Sequence, residues 1–186
     1  MKALVAEDET IIRLDLRAML ETAGHEVIDA RDGVEAVELA RAERPDFAVL
    51  DVKMPRLDGL TAARKIADER PIPIVILTAY AQDELVRRAV ESGVYGYLVK
   101  PFRQEDVLPA IRTALARHGE LSAQRGETAA LAEALAARKA IERAKGILME
   151  TQSLTENEAF ARLRTASQVS SRPMRVIAEA IIATLG

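Results

Sequence analysis

The sequence of 186 residues contains no cysteine and no tryptophan, and it has two histidines, His25 and His118. Disulfide-based folds and metal sites built from thiolates are therefore excluded. The histidines stand far apart, without the spacing of a paired-histidine motif, so a metal site built on them is not expected. Aromatic residues make up only 3% of the chain, yet 49% of it is apolar. That apolar share is large enough for a buried core and argues against disorder throughout.

Long hydrophobic runs are also absent. No apolar stretch approaches the roughly 18 residues of a membrane-spanning helix. The first residues, 1–9, place acidic side chains directly after a short apolar run. A signal peptide needs a longer apolar region and a small-residue cleavage site. We therefore expect a cytoplasmic protein.

The net charge of −3 hides an asymmetry between the two parts of the chain. Residues 1–102 carry 14 basic and 19 acidic residues, a balance of −5, whereas residues 103–186 carry 12 and 10, a balance of +2. Within 138–175 there are 8 basic residues and 4 acidic ones. An acidic first part and a mildly basic second part predict two domains with different partners.

Short apolar runs rich in β-branched residues alternate with helical patterns in the first part of the chain. Strands separated by helices of about ten residues are typical of βα units around a parallel sheet. Some runs are apolar without alternation, as expected for central strands covered on both faces. The pattern predicts an α/β domain, a doubly wound (βα)₅ parallel sheet over about residues 1–120. The expected strands are 3–7, 26–30, 47–52, 74–78 and 95–99, and the expected helices are 11–20, 33–42, 60–68 and 82–92, with a further helix from Gln104.

The ends of these strands carry chemically active residues. In such sheets, ligands bind beyond the carboxyl ends of the strands. The residues expected there are Glu7, Asp8, Asp51, Thr78 and Lys100. Three carboxylates that crowd together repel one another, which favours a bound divalent cation, and oxygen ligands alone favour Mg²⁺. The set predicts a phosphoryl acceptor site, with an aspartate as the covalent nucleophile and the lysine beside a phosphoryl oxygen.

Each of these residues also has a purely structural explanation. An acidic pair after a strand is often part of a solvated loop, and an aspartate such as Asp51 is a common turn former. Thr78 can cap a helix, Lys100–Pro101 can be an ordinary loop, and Tyr97 can fill the core or the surface. The shared chemistry of the strand ends, in the right order along the chain, favours the site.

The combination of these motifs resembles the receiver domain of two-component response regulators. The residues that carry the resemblance are Glu7-Asp8, the run from Asp51 to Gly59 (Asp-Val-Lys-Met-Pro-Arg-Leu-Asp-Gly), Thr78-Ala79, and Tyr97-Leu-Val-Lys-Pro-Phe102. The resemblance covers about residues 1–120. It implies that a sensor histidine kinase phosphorylates Asp51.

The same resemblance implies a role for the other site residues. Asp8 would bind Mg²⁺ directly, and Glu7 would contribute to the acidic pocket through water. Lys53 would offer its backbone carbonyl to the metal. In the family, asparagine is frequent at the position of Lys53, and aspartate is frequent at the position of Glu7. Neither departure removes a required atom, so an inactive receiver is not expected.

The resemblance further implies how phosphorylation is sensed. Lys100 would contact the phosphoryl group, with a cis peptide bond between Lys100 and Pro101. Thr78 and Tyr97 would form a hydroxyl–aromatic switch that reports phosphorylation to the face built around the fourth and fifth strands.

After Gln104 the strand pattern disappears and helical periodicity takes over. A linker helix is predicted over about 104–140, interrupted because its leucines lose heptad register between Leu115 and Leu121 and because Gly126 weakens its middle. It either pairs as a coiled coil or packs only within its own chain. An all-α three-helix bundle follows, with helices expected over about 128–151, from the capping box at Thr155, and from about Ser171.

The bundle contains a motif that looks like the signature of the ANTAR domain. The run from Arg138 to Met149 (Arg-Lys-Ala-Ile-Glu-Arg-Ala-Lys-Gly-Ile-Leu-Met) carries the resemblance, and 156–164 and 176–182 extend it. It covers about residues 125–186. ANTAR domains bind RNA and act in transcription antitermination, recognising paired hairpins in leader transcripts. Two hairpins imply two output domains and therefore a homodimer.

The resemblance singles out candidate RNA-binding residues. Gly146 weakens a helix, which indicates that another backbone or the RNA comes close. Phe160 is the single aromatic residue of the bundle, and it either fills the core or stacks on a base. The basic residues line an RNA surface or form an ordinary solvated helix face, because a balance of +4 does not decide between them. The candidates are Arg143, Ala144, Lys145, Gly146, Phe160, Arg162 and Arg164.

The sequence thus predicts a response regulator in which phosphorylation shifts a population towards an RNA-binding, antiterminating dimer. One alternative is a DNA-binding regulator with a helix-turn-helix output, although no β-ribbon of a winged helix is present. Another is an aspartyl phosphohydrolase, but such enzymes usually carry a second aspartate two residues on, where this chain has Lys53. We therefore expect a phosphoacceptor rather than a turnover enzyme.

Overall fold

The computed structural model describes residues 1–79 and 93–185. The chain forms two compact units, Met1–Ser122 and Ala123–Gly186. The helix predicted over about 82–92 lies outside the described residues.

The first unit is built on a parallel sheet in the strand order β2-β1-β3-β4-β5. All four strand pairings are parallel, as the alternation of strands and helices predicted. Each residue of β3 and β4 is buried, which explains why these runs lack an alternating pattern. The strands are β1 (Lys2–Ala6), β2 (Glu26–Ala30), β3 (Phe47–Asp51), β4 (Ile74–Thr78) and β5 (Gly96–Val99).

Helices cover both faces of this sheet, so the doubly wound prediction is confirmed. The first three are α1 (Thr10–Thr22), α2 (Gly33–Glu43) and α3 (Gly59–Glu69). On one face, α2 and α3 pack on alternate strand residues such as Leu50 and Ile76. On the other face, α1 and the residues that follow Gln104 pack on Val49 and its neighbours.

A single long helix, α4 (Gln104–Gln152), follows the sheet without a break. The predicted interruption and the separate start near residue 128 are therefore wrong. A glycine costs a helix only about 1 kcal/mol relative to alanine, and the surrounding alanine, leucine, glutamate and arginine residues are strong helix formers. The loss of heptad register between Leu115 and Leu121 changes which face is apolar but does not end the helix.

The glycines of this helix offer a test of its local stability. A Cβ added at Gly119 or Gly126 would meet nothing within 4 Å. Each alanine substitution is therefore expected to raise the free energy of unfolding by roughly 0.5–1 kcal/mol. Chemical unfolding followed by circular dichroism measures this gain. Gly59→Ala is the control with the opposite sign, because its Cβ would lie 1.9 Å from the backbone oxygen of Asp51.

Two shorter helices, α5 (Glu156–Ser170) and α6 (Met174–Leu185), complete the second unit. The predicted capping box is confirmed, since the Glu158 N–H donates to Thr155 Oγ1 and the Thr155 N–H donates to the Glu158 carboxylate. The last helix begins three residues after the approximate start predicted near Ser171. Ser171 closes α5 in the left-handed conformation, with φ of 53°, and α6 begins at Met174.

The core of the second unit is small. Its fully or almost fully buried residues are Ala144, Leu148, Ala159, Leu163 and Ala178. Isoleucines of α4 and α6 pack around them while remaining partly exposed. Across the described parts of the chain, no helix combines the length and the apolar character needed to span a bilayer.

Candidate functional site

Three carboxylates meet at the carboxyl edge of the sheet. Glu7 and Asp8 follow β1, and Asp51 ends the neighbouring strand β3. One oxygen from each residue lies within 4.8 Å of the others. Glu7 is fully buried and Asp51 is 5% exposed, whereas Asp8 is exposed. The predicted cluster is therefore formed, with one solvent-facing carboxylate at its entrance.

Lys100, after the edge strand β5, reaches two of these carboxylates. Its ammonium donates to Glu7 Oε2 at 2.6 Å and lies 3.0 Å from Asp51 Oδ1. The lysine side chain is only 16% exposed. Because a buried charge is stable only when it is paired, this lysine compensates the two buried carboxylates.

Burial dominates the protonation of this cluster. It raises the pKa of Glu7, a shift that the hydrogen bond from Lys100 opposes and the charge of Asp51 increases. Burial likewise raises the pKa of Asp51, and the hydrogen bond from Lys100 lowers it by less. Burial by itself lowers the pKa of Lys100, but the hydrogen bonds to Glu7 and Asp51 outweigh it and raise that pKa. The lysine therefore stays charged, while both carboxyl groups resist ionisation. A bound cation would favour their ionised forms and lower both of their pKa values.

The loop after β3 is held tightly against Asp51. The Lys53 N–H donates to Asp51 Oδ2 at 3.1 Å. The start of α3 comes so close that a Cβ on Gly59 would lie 1.9 Å from the Asp51 backbone oxygen. A glycine at position 59 is therefore required by packing, and it fixes the loop that carries Lys53.

A cavity of about 260 Å³ opens over Asp51. Thr78 lies on its wall and is 6% exposed. Tyr97 is 52% exposed on β5 and is not among the described residues that line the cavity, and the predicted switch that it would form with Thr78 stays a prediction. The peptide bond between Lys100 and Pro101 is cis, as the resemblance implied. The lining residues are Asp8, Glu9, Asp51, Val52, Lys53, Thr78, Ala79 and Lys100.

Two contacts at the carboxyl edge of the sheet could not be predicted from the sequence motifs. The Glu9 N–H donates to Glu7 Oε1 at 3.2 Å and so fixes the carboxylate that Lys100 contacts. Arg56, in the loop after β3, donates from Nε to Asp32 Oδ2 at 2.8 Å, and Asp32 also caps α2. Arg56 and Asp32 are 24 positions apart, and no local pattern in the sequence pairs them.

The candidate RNA-binding residues of the second unit fall into two groups. The side chains of Arg143, Arg162 and Arg164 are exposed, and Phe160 is 43% exposed on α5. Phe160 is therefore not a core residue. Ala144 is completely buried in the helix core, so its inclusion among the RNA contacts is corrected.

The surroundings of Lys145 and Gly146 differ from those expected of RNA-contacting residues. Lys145 is 8% exposed, and its ammonium contacts the carboxylates of Glu142 and Glu156. The hydrogen bonds that Lys145 donates to these carboxylates raise its pKa, and the bond to Glu156 has the larger effect. At Gly146 a Cβ would meet nothing within 4 Å, so no neighbouring helix requires this glycine.

Two family models match the chain. The response regulator receiver domain matches residues 3–112, and the ANTAR domain matches residues 129–182. The transcriptional regulatory protein PdtaR of Mycobacterium tuberculosis is 47% identical over 186 residues, which cover 100% of this chain and 91% of that protein. The response regulator MprA of Mycobacterium leprae is 42% identical over 120 residues, or 63% of this chain and 52% of MprA.

Solved receiver structures share the fold of the first unit. The chemotaxis protein CheY4 of Vibrio cholerae is 32% identical with a TM-score of 0.59, covering 61% of this chain and 98% of CheY4. A chain of the CheX–CheY–BeF3–Mg complex of Borrelia burgdorferi is 26% identical with a TM-score of 0.58, covering 60% of this chain and 86% of that chain. With the acidic pocket and the two matched domains, these similarities lead to one conclusion. The chain belongs to the response regulators, as a member that joins a receiver domain to an ANTAR domain.

Proposed function

We propose that Asp51 receives a phosphoryl group from the phosphohistidine of a sensor kinase. The observation that carries this proposal is that Asp51 lines a cavity together with Asp8, Thr78 and Lys100, and that its carboxylate lies 3.0 Å from the Lys100 ammonium. A carboxylate oxygen of Asp51 attacks the phosphorus, and the bond from phosphorus to the kinase histidine nitrogen breaks. The product is an acyl phosphate, and the histidine is released. The chain acts as a phosphoacceptor and not as a turnover enzyme.

The acidic pocket fits Mg²⁺. Glu7, Asp8 and Asp51 would hold the ion, with the backbone carbonyl of Lys53, because oxygen ligands with several retained waters are what Mg²⁺ prefers. The ion would neutralise the charge that builds up on the transferred phosphoryl group. Lys100 would then pair with a phosphoryl oxygen, and its present contact with Asp51 shows that its ammonium reaches the acceptor carboxylate.

Metal affinity is expected to depend on pH. The pKa values of Glu7 and Asp51 are raised by burial, so the folded protein holds more protons than the unfolded chain between the ordinary and the raised values. In that window, the stability of the metal-free protein falls as pH rises, whereas Mg²⁺ affinity increases because the carboxylates ionise. Thermal unfolding with and without Mg²⁺, in a pH series that rises from the ordinary carboxyl range, measures both trends.

Glu7→Gln is the matched variant for this pH dependence. It removes one of the two buried titrations, so both trends should become shallower. A metal-free protein whose stability rises through the same window would contradict the assignment.

We propose that the second unit binds paired RNA hairpins and prevents formation of a transcription terminator. The exposed Arg143, Arg162 and Arg164 would contact phosphates, and the exposed Phe160 would stack on a base. The large exposed fractions of Leu131 and Leu135, 72% and 54%, support pairing of α4 with a second copy. Phosphorylation would shift the population towards this dimer through Thr78 and Tyr97.

Binding to RNA and DNA at matched salt tests this output. Two-hairpin RNAs with randomised loops are selected on the full chain treated with acetyl phosphate and Mg²⁺. The enriched RNA is expected to bind more tightly after phosphorylation, and more tightly than duplex DNA of the same sequence. Preference for the duplex would favour the helix-turn-helix alternative, and steady release of phosphate from phosphate esters would favour the phosphohydrolase.

A further inference from the structure

Lys145 lies at the junction of α4 and α5, enclosed by two carboxylates. Its ammonium is 3.1 and 3.0 Å from the two oxygens of Glu142, one turn earlier on α4. It is also 2.6 Å from Glu156 Oε1, at the first residue of α5. The lysine side chain is 10% exposed, whereas those of Glu142 and Glu156 are 58% and 67% exposed. The cation is therefore covered, and the two anions face the solvent.

This arrangement is poorly suited to a phosphate contact. A phosphate approaching Lys145 would first meet two acidic side chains, whose repulsion opposes binding. To reach the ammonium it would have to displace charge-assisted hydrogen bonds that are already formed. Arg143, Arg162 and Arg164 are exposed, and among the described residues none of them is covered by a pair of carboxylates as Lys145 is. The motif lysine thus differs from the arginines with which the sequence had grouped it.

The contact also fixes the beginning of α5. The ion pair to Glu156 adds to the capping box of Thr155 and Glu158 at the same helix end. Phe160, Arg162 and Arg164 follow within the next turns of this helix. Their positions relative to Arg143 on α4 therefore depend on how α5 is joined to α4.

We propose that Lys145 is a positioning residue for the RNA surface and does not contact RNA phosphate. It ties α5 to α4 through Glu156, so that the exposed arginines of both helices face one ligand together. The inference rests on the proposed RNA-binding function and adds a role to a residue within the ANTAR signature.

Glu156→Gln separates the two roles by the sign of its effect. If Lys145 positions α5, loss of the tie weakens binding of the selected two-hairpin RNA by up to about fivefold, the size of an ion pair with one solvent-exposed partner, although the protein has lost a negative charge. The slope of log affinity against log salt stays that of the wild type, because no phosphate contact changes. If Lys145 is a masked phosphate contact, the variant binds more tightly and the slope steepens by about one unit. That second result overturns the proposal.

Glu150→Gln is the matched control. Glu150 is also an exposed acidic residue near the end of α4, and its substitution removes the same charge without touching Lys145. It is expected to leave RNA affinity equal to that of the wild type or slightly stronger. Equal effects of the two glutamine variants would overturn the proposal, since charge alone would then explain them.

Substitutions of the lysine complete the test. Lys145→Met should lower the affinity with an unchanged salt slope, and Lys145→Arg should restore most of it because a guanidinium also bridges two carboxylates. Circular dichroism of each full-length variant checks that the helices remain formed. If the wild-type chain bound none of the RNA library, the proposed function itself would be overturned. If the wild-type chain bound RNA tightly and the Glu156→Gln variant bound it more tightly still, only the positioning role would be overturned.

Discussion

Asp51→Asn is expected to abolish formation of the acyl phosphate completely. The amide that replaces the carboxylate keeps its shape but is neutral and is not a nucleophile towards phosphorus. The fold should persist, because burial already raises the pKa of Asp51 and a neutral group is tolerated in its place. The measurement is incorporation of label from acetyl phosphate in the presence of Mg²⁺, together with thermal unfolding of the same sample.

The control for this substitution is Asp68→Asn. Asp68 is an exposed aspartate on α3, outside the acidic cluster. Its variant should be labelled like the wild type and should keep the phosphodonor-dependent increase in RNA affinity. Normal labelling of Asp51→Asn would show that another residue is the acceptor and would end the proposal for this site.

Leu163→Ala is expected to remove a large part of the stability of the second unit, about half of it at the midpoints of the typical ranges. Leu163 is completely buried in a core with only five well-buried residues among those described, so the cavity has few neighbours that can fill it. Such substitutions typically cost about 2–5 kcal/mol. A unit of the size of Ala123–Gly186 has a total stability of roughly 3–10 kcal/mol. Chemical unfolding by circular dichroism should show an early loss of helix, and RNA affinity should fall with it.

The matched control is Val169→Ala on the same unit. Val169 is 83% exposed on α5, and its substitution should change the free energy of unfolding by less than about 0.5 kcal/mol. If the two variants unfolded alike, the core assignment of Leu163 would be wrong.

Much of the fold could be predicted because its patterns are local. Strands β2 and β4 have the predicted bounds, β1 is shifted by one residue at both ends, and β3 and β5 are each one residue shorter than predicted. The capping box at Thr155 was readable because its two partners are three positions apart. The continuity of α4 was not readable, since a register change and Gly126 are local signals of weakness that the rest of a 49-residue helix outweighs.

The candidate phosphoryl site was also readable in its chemistry, but not in its details. A parallel sheet brings the ends of its strands to one edge, so Asp8, Asp51 and Lys100 could be grouped without coordinates. The burial of Glu7 and its contact with Lys100, 93 positions away, depend on the packing of distant segments. The 52% exposure of Tyr97 on β5 has the same origin, because the fraction of a side chain that packing covers is set only in the folded chain.

The sequence by itself determined the order of strands and helices, the two matched domains and the residue types at the acidic edge. These features follow from periodicity and from the chemistry of residues close together in the chain. Only the tertiary structure decided how charges are paired: Lys100 with Glu7 across 93 positions, and Lys145 with Glu156 across 11. The reason is physical, because burial sets the cost of an unpaired charge and burial exists only after distant segments have packed.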